Sequence, residues 1–361
     1  MVSKASLFKT LILILLTASC APSSAQLAVS AKVHRGFIFS HTPYISGLAQ
    51  SHFNIYELTF SKFPNGKKYW HAQYPHAYWG VSYITSNLGY PQVLGNVHAI
   101  LPHFNFPIAH RNKYLLTFQL GTGVGYFTKT FNRTTNYKNL AIGSHVTINM
   151  RGMFESTFTL SPHWQVVSSL GINHFSNAAF KTPNYGLNIL SAMGGVNYTF
   201  NKPKDTTNFV HKNTTSDSLA NKWYTTAIVS ASRKQTSPPG GKNYYVGALQ
   251  LSVCKQITHK YRLGAGLEYN YNTALQRDVH ATDLASLSRI MIGVHNEFLI
   301  HRLSIVSVTG VNLYSKAKSD GFIMNRLGLR YYFKNKLIAN VSLKTHLGQA
   351  DFFDVGVGYA F

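Results

Sequence analysis

An all-β fold, a transmembrane antiparallel β-barrel of about 16 strands built from a duplicated eight-stranded unit, follows from three observations. First, the chain is 45% hydrophobic and 14% aromatic with only 12% charged residues. Yet beyond residue 25 no apolar run approaches the about 20 residues that a membrane-spanning helix needs. Second, short alternating segments bounded by Gly, Pro, Asn or Lys clusters succeed one another, the pattern of strands with one lipid face and one lumen face. Third, the chain ends Asp351-Phe-Phe-Asp-Val-Gly-Val-Gly-Tyr-Ala-Phe361, with Phe353, Val355, Val357, Tyr359 and Phe361 on one face. A terminal aromatic of this kind is typical of bacterial outer-membrane barrels.

Residues 1–25 read as a signal peptide. A Lys-containing start precedes the apolar run Thr10–Thr17 and the small residues Ser23-Ser-Ala25, the order of a secretory leader. Cleavage there starts the mature chain at Gln26. Thr17-Ala-Ser-Cys20 offers an alternative, lipoprotein processing with Cys20 acylated. Strands are expected over 28–39, 53–60, 77–86, 92–102, 113–126, 143–160, 163–176 and 187–200. Residues 26–200 thus form a first eight-stranded half, and 201–221, with turn composition, a polar linker or long turn. A second half over 222–361 has strands near 222–233, 243–257, 259–272, 288–300, 302–313, 324–333, 336–346 and 352–361. The halves echo each other: Asn173-His-Phe-Ser-Asn-Ala178 is matched by Thr345-His-Leu-Gly-Gln-Ala350, which points to duplication. Gly348 stands where the first copy has Ser176, so the second half is degenerate and His346 a relic. One wide barrel is the preferred closure, because it avoids packing two separate cylinders. Two tandem eight-stranded barrels are the alternative.

The formal charge is +23, from 34 Lys+Arg against 11 Asp+Glu, which attracts polyanions. Secretion excludes nucleic acid as the partner and favours the phosphorylated lipopolysaccharide of a Gram-negative outer membrane. Of the two cysteines one lies in the leader, so Cys254 stands alone and no disulfide framework forms. Gly121-Thr-Gly-Val-Gly125 is not followed by a helix, which removes a nucleotide-binding reading. His98, His103 and His110 lack compact ligand spacing, so neither a metal nor a cofactor is expected.

The polar groups that the strand pattern does not explain fall at the end of the seventh strand. His174 and Ser176 continue the apolar face of Trp164, Val166, Leu170 and Ile172, and polar residues facing lipid are functional candidates. Residues i and i+2 stand about 6.6 Å apart on one face, a span an imidazole bridges if the strand bends. His174 is the candidate base and Ser176 the nucleophile. Asn188, near the top of the eighth strand on the lipid face, can orient the imidazole through its amide oxygen. Asn177 can donate to a developing oxyanion. Glu155, on the sixth strand, is the nearest carboxylate that could replace Asn188 as the orienting group.

His174-x-Ser176-Asn177-Ala178 followed by Lys181-x-Pro183-Asn184-x-Gly186 places eight named positions within thirteen residues. This motif resembles the outer-membrane lipid A 3-O-deacylases (PagL-like), or acyloxyacyl hydrolases, most clearly over residues 114–200. Asn139-Leu-Ala-Ile-Gly-Ser-His145 also looks like the longer members of that family. The resemblance implies a serine esterase of the outer membrane that removes an ester-linked acyl chain from lipid A at the barrel's outer surface. His174 would be base, Ser176 nucleophile, Asn177 an oxyanion contributor and Asn188 the orienting residue. The family's acidic member falls at Asn188, so here the orienting group is neutral. The rival reading is a non-enzymatic barrel, a porin-like channel or a structural protein that binds lipopolysaccharide.

Overall fold

The computed structural model describes residues 26–65, 69–200, 222–236, 238–317, 321–346 and 349–361. The leader expected over 1–25, Cys20, the linker over 201–221 and Gly348 lie outside the described residues. Sixteen strands are present among those described. The first eight are β1 (Gln26–Phe39), β2 (Phe53–Phe63), β3 (Tyr78–Ser86), β4 (Val97–Arg111), β5 (Tyr114–Phe127), β6 (Val146–Thr159), β7 (Trp164–Ser176) and β8 (Leu187–Thr199). The second eight are β9 (Trp223–Gln235), β10 (Asn243–Thr258), β11 (Tyr261–Asn272), β12 (Ser288–Ile300), β13 (Leu303–Ser315), β14 (Ile323–Tyr332), β15 (Leu337–His346) and β16 (Gln349–Ala360).

The strands close as two barrels, β1 to β8 and β9 to β16. The single wide barrel preferred from sequence is therefore not formed, and the tandem arrangement is. The reason lies in the closing ladders. β1 pairs with β8 from Ala28↔Thr199 to Phe39↔Asn188, and β16 pairs with β9 from Val355↔Ala231 to Ala360↔Thr226. These pairings leave no edge on β8 for β9 to join.

Eight strands leave an interior narrow enough for side chains to fill, and both lumens are filled by ion pairs. In the first, Glu57 receives Arg151 at 2.7 Å and His34 at 3.0 Å, while Glu155 receives Lys32 at 2.7 Å and the Tyr78 hydroxyl at 2.6 Å. In the second, Arg326 grips Glu268 through two bonds of 2.8 Å and reaches Asp354 at 2.7 Å. Glu57, Glu155, Glu268 and Glu297, all four glutamates of the chain, are buried in this way. Much of the scarce acid is thus spent inside, and the outer surface is left cationic.

Along β7 the alternation is clean: Trp164, Val166, Leu170 and Ile172 are exposed, Leu170 at 64%, while Gln165, Val167, Ser169 and Asn173 are buried. Apolar side chains out and polar side chains in is the inverse of a soluble sheet and fits a lipid surround. One end of the first lumen differs. There Ile45 and Leu48 of a 3-10 turn, Leu94, Ile142, Phe127, Phe175 and Leu187 pack as an apolar plug. Phe175 meets Phe127 edge to face at 5.5 Å. Anchoring Phe175 inward turns its neighbours in sequence, His174 and Ser176, to the outer face.

β4 departs most from the expected boundaries. Pro91–Leu94 is a helical turn, and the strand runs on through Pro102 and Pro107 to Arg111. Pro102 pairs with Val81 on β3, and the β5 ladder shifts register at Pro107. Proline is accommodated where a ladder bond is already missing.

Candidate active site

The site lies where β7 and β8 end beside the loop 177–186. Antiparallel pairing sets His174 directly opposite Asn188, and directly opposed residues share one face. The imidazole Nδ1 is 2.6 Å from the Asn188 amide oxygen. An amide oxygen only accepts, so Nδ1 carries the proton and Nε2 keeps its lone pair. The other side of the amide agrees, since Asn188 Nδ2 donates to His41 Nδ1 at 3.0 Å. His41 follows β1 in sequence, so three strand ends meet in one chain of hydrogen bonds, His41 to Asn188 to His174.

Ser176 shares the outward parity of His174, yet it is only 9% exposed. Its partner across β6 is Ile148, and that of His174 is Met150, so the pair sits against apolar side chains. Among the described residues no hydrogen bond joins His174 to Ser176. Such bonds are often long before substrate binds.

The loop is fixed by Asn177 and Asn184. Asn177 Nδ2 donates to Ser144 Oγ at 2.9 Å and to the Lys181 carbonyl at 2.8 Å, while its backbone N–H goes to Asn184 Oδ1 at 2.8 Å. Ala178 and Ala179 follow with φ of 50° and 68°, a left-handed pair that costs backbone strain in non-glycine residues. Gly186 closes the loop at φ +73°, and a Cβ there would stand 3.0 Å from His174 Cε1 and 3.3 Å from Ser176 Cβ. Glycine meets both the conformation and the space.

Of the residues expected from sequence, His174 and Asn188 are brought into contact. Ser176 and Asn177 lie beside them, with the side-chain donors of Asn177 already engaged. Glu155 faces the lumen with Lys32 and Tyr78, on the opposite side of the sheet from His174. His346 also faces a lumen, where its Nε2 lies 3.1 Å from Asp351; its sequence echo of His174 is not an echo of position. Three further residues of the site, His41, Ser144 and Gly186, are not singled out by the strand pattern. Gly186 does carry a spacing signal, a motif glycine two residues before Asn188. His41 sits in a loop without periodicity, and Ser144, expected from sequence at the start of a strand over 143–160, lies in the loop before β6.

Residues 56–197 match the model of the family described as lipid A 3-O-deacylase (PagL), and residues 221–361 match that of the acyloxyacyl hydrolase C-terminal domain. Among solved structures, Neisserial surface protein A is similar at 10% identity, over 48% of this chain and 97% of that one, with a TM-score of 0.35. The outer membrane enzyme PagL is similar at 22% identity, over 46% and 97%, with a TM-score of 0.31. The toluene transporter TodX of Pseudomonas putida aligns over 95% of this chain at 8% identity and a TM-score of 0.18. A comparison with curated protein sequences returns no match.

Proposed function

From a chain that belongs, over residues 56–197 and 221–361, to the family of lipid A 3-O-deacylases and acyloxyacyl hydrolases, we propose an outer-membrane serine esterase that hydrolyses the 3-O-linked acyl chain of lipid A. The observation that carries this reading is the 2.6 Å contact of His174 Nδ1 with Asn188 on the outward face of the first barrel. A structural histidine has no need of that arrangement at a lipid-facing position. Here it leaves Nε2 unprotonated as a base, on the strand face that also carries Ser176.

In the proposed reaction Ser176 Oγ attacks the ester carbonyl carbon as His174 Nε2 takes its proton. The resulting imidazolium then protonates the departing sugar oxygen. Water, deprotonated by the same histidine, attacks the acyl-serine and releases the fatty acid. Asn188 holds the tautomer throughout. Asn177 contributes to the oxyanion site through the turn it braces, whose Ala178 and Ala179 amides are the proposed donors to the developing oxyanion.

The loops at this end support a phosphorylated headgroup. Lys129, Arg133, Lys138 and Lys181 are all exposed there, and cations of this kind pair with lipid A phosphates. Such a substrate implies location in a Gram-negative outer membrane, with the site at the external leaflet and both ends of the chain on the periplasmic side. The test is release of fatty acid from 3-O-acylated lipid A by the purified full chain in vesicles. Release that needs both His174 and Ser176 supports the reading, and release unchanged in Ser176→Ala removes it.

A further inference from the structure

Between the two barrels runs a groove of about 570 Å³ whose walls come from both. Phe104, Leu120 and Ile148 line the first barrel's side, and Ile305, Leu327 and Leu343 the second's. Elsewhere the outward apolar residues of the second barrel stand open, Val357 at 71% exposure, whereas Ile305, Leu329 and Leu343 in the groove are half-buried. Ser176 and Ala178 belong to the same lining. The candidate nucleophile therefore opens onto this space.

Polar contacts bridge the barrels at the two ends of the groove. At the site end, Gln235 N–H donates to the Ala179 carbonyl at 2.8 Å, Thr182 N–H donates to Gln235 Oε1 at 3.1 Å, and the Phe180 and Phe353 rings lie 6.4 Å apart. At the opposite end, the Tyr74 hydroxyl donates to the Leu299 carbonyl at 2.7 Å and Lys260 Nζ sits 4.5 Å from the Tyr74 ring centroid. Register gives the distance between these closures. Phe353 pairs with Leu343 and Leu343 with Leu327, while Leu299 pairs with Ser304 and Ser304 with Arg330. From Leu327 to Arg330 is three residues of β14, roughly 10 Å of strand at about 3.3 Å per residue.

We propose that this groove holds the scissile acyl chain, and that the second barrel, though it lacks the site, sets which chain lengths are cleaved. The proposal rests on the esterase reading above and adds a role for residues 222–361. The occupant follows from the walls: an apolar slot bridged at its far end by Tyr74 and Leu299 and headed by a hydroxyl fits an alkyl chain whose ester lies at Ser176. The chain arrives from lipid that is itself apolar, so each methylene gains from van der Waals packing against the groove walls and not from leaving water. Binding should therefore grow with chain length until the Tyr74–Leu299 closure is met, and fall beyond it.

The test uses the full chain in phospholipid vesicles with lipid A carrying 3-O-acyl chains of graded length. Leu327→Trp narrows the groove from the second barrel, and Val357→Trp places the same bulk on its open face as a control. We expect Leu327→Trp to lower kcat/KM for long-chain esters about tenfold relative to short ones, with the Val357→Trp profile that of wild type. A second measurement is independent of turnover: lipid A bearing a photoreactive diazirine in its 3-O-acyl chain, irradiated with the Ser176→Ala protein, should label the peptide around Leu327 and Leu343 over that around Val357. Equal labelling of the two faces, or one length profile shared by all variants that cleave, overturns the groove and leaves the esterase standing. Absence of fatty acid release by wild type overturns the esterase and, with it, the assignment of the occupant as a substrate chain.

Discussion

Asn188 stands directly opposite His174 across the β7–β8 ladder, with its amide oxygen 2.6 Å from the imidazole. A neutral amide fixes the tautomer as a carboxylate would, but it adds no charge to stabilise imidazolium. A hydrogen bond to a charged group is worth about 1 kcal/mol more than a neutral one. Asn188→Glu should therefore raise kcat by about fivefold, and Asn188→Ala should lower it by roughly 10²-fold. Steady-state deacylation by the three forms checks both directions; a lower rate for Asn188→Glu would mean that the amide is required for its link to His41.

Gly186 is bound to its place twice, by a φ of +73° and by the His174 ring 3.0 Å from where a Cβ would stand. Gly186→Ala should cost about 1 kcal/mol of stability and more than that in activity, because the imidazole must shift. Thermal unfolding and kcat measured on the same preparation separate the two. A stability loss with unchanged kcat would contradict the close placement of Gly186 against the site.

The first lumen depends on Glu57, which meets Arg151, His34 and Lys32 at once. Removing one partner of a buried ion pair strands the others and costs about 3–5 kcal/mol. Glu57→Leu should lower the urea midpoint accordingly, while the folded fraction keeps the deacylation rate per molecule, since Glu57 lies on the other side of the sheet from His174. A wild-type midpoint would show that the network contributes nothing to closure.

Strand positions are legible in the sequence because polar-in, apolar-out alternation of period two is imposed by the barrel wall itself. The same parity puts His174, Ser176 and Asn188 on one outward face from their spacing alone. Closure is not legible: one barrel or two give even strand numbers with the same local pattern, and the choice lies in whether β8 meets β1 or β9. The bounds of β4 are obscured because Pro102 and Pro107 read as breakers, although each sits where a ladder bond is absent. His346 illustrates the limit of repeat matching, since one residue of offset reverses every side chain and a sequence echo of His174 ends inside a lumen. His41 carries no periodic signal and Ser144 falls inside the strand expected over 143–160, so only the closed barrel brings these loop partners to the site.

The measurement closest to the central claim is a mass spectrum of lipid A from outer membranes that carry either the wild-type protein or Ser176→Ala at equal folded levels. The account predicts loss of one 3-O-acyl chain with wild type alone, the nucleophile variant being slower by at least about 10³-fold. Identical spectra in a membrane that offers a 3-O-acyl ester would contradict it.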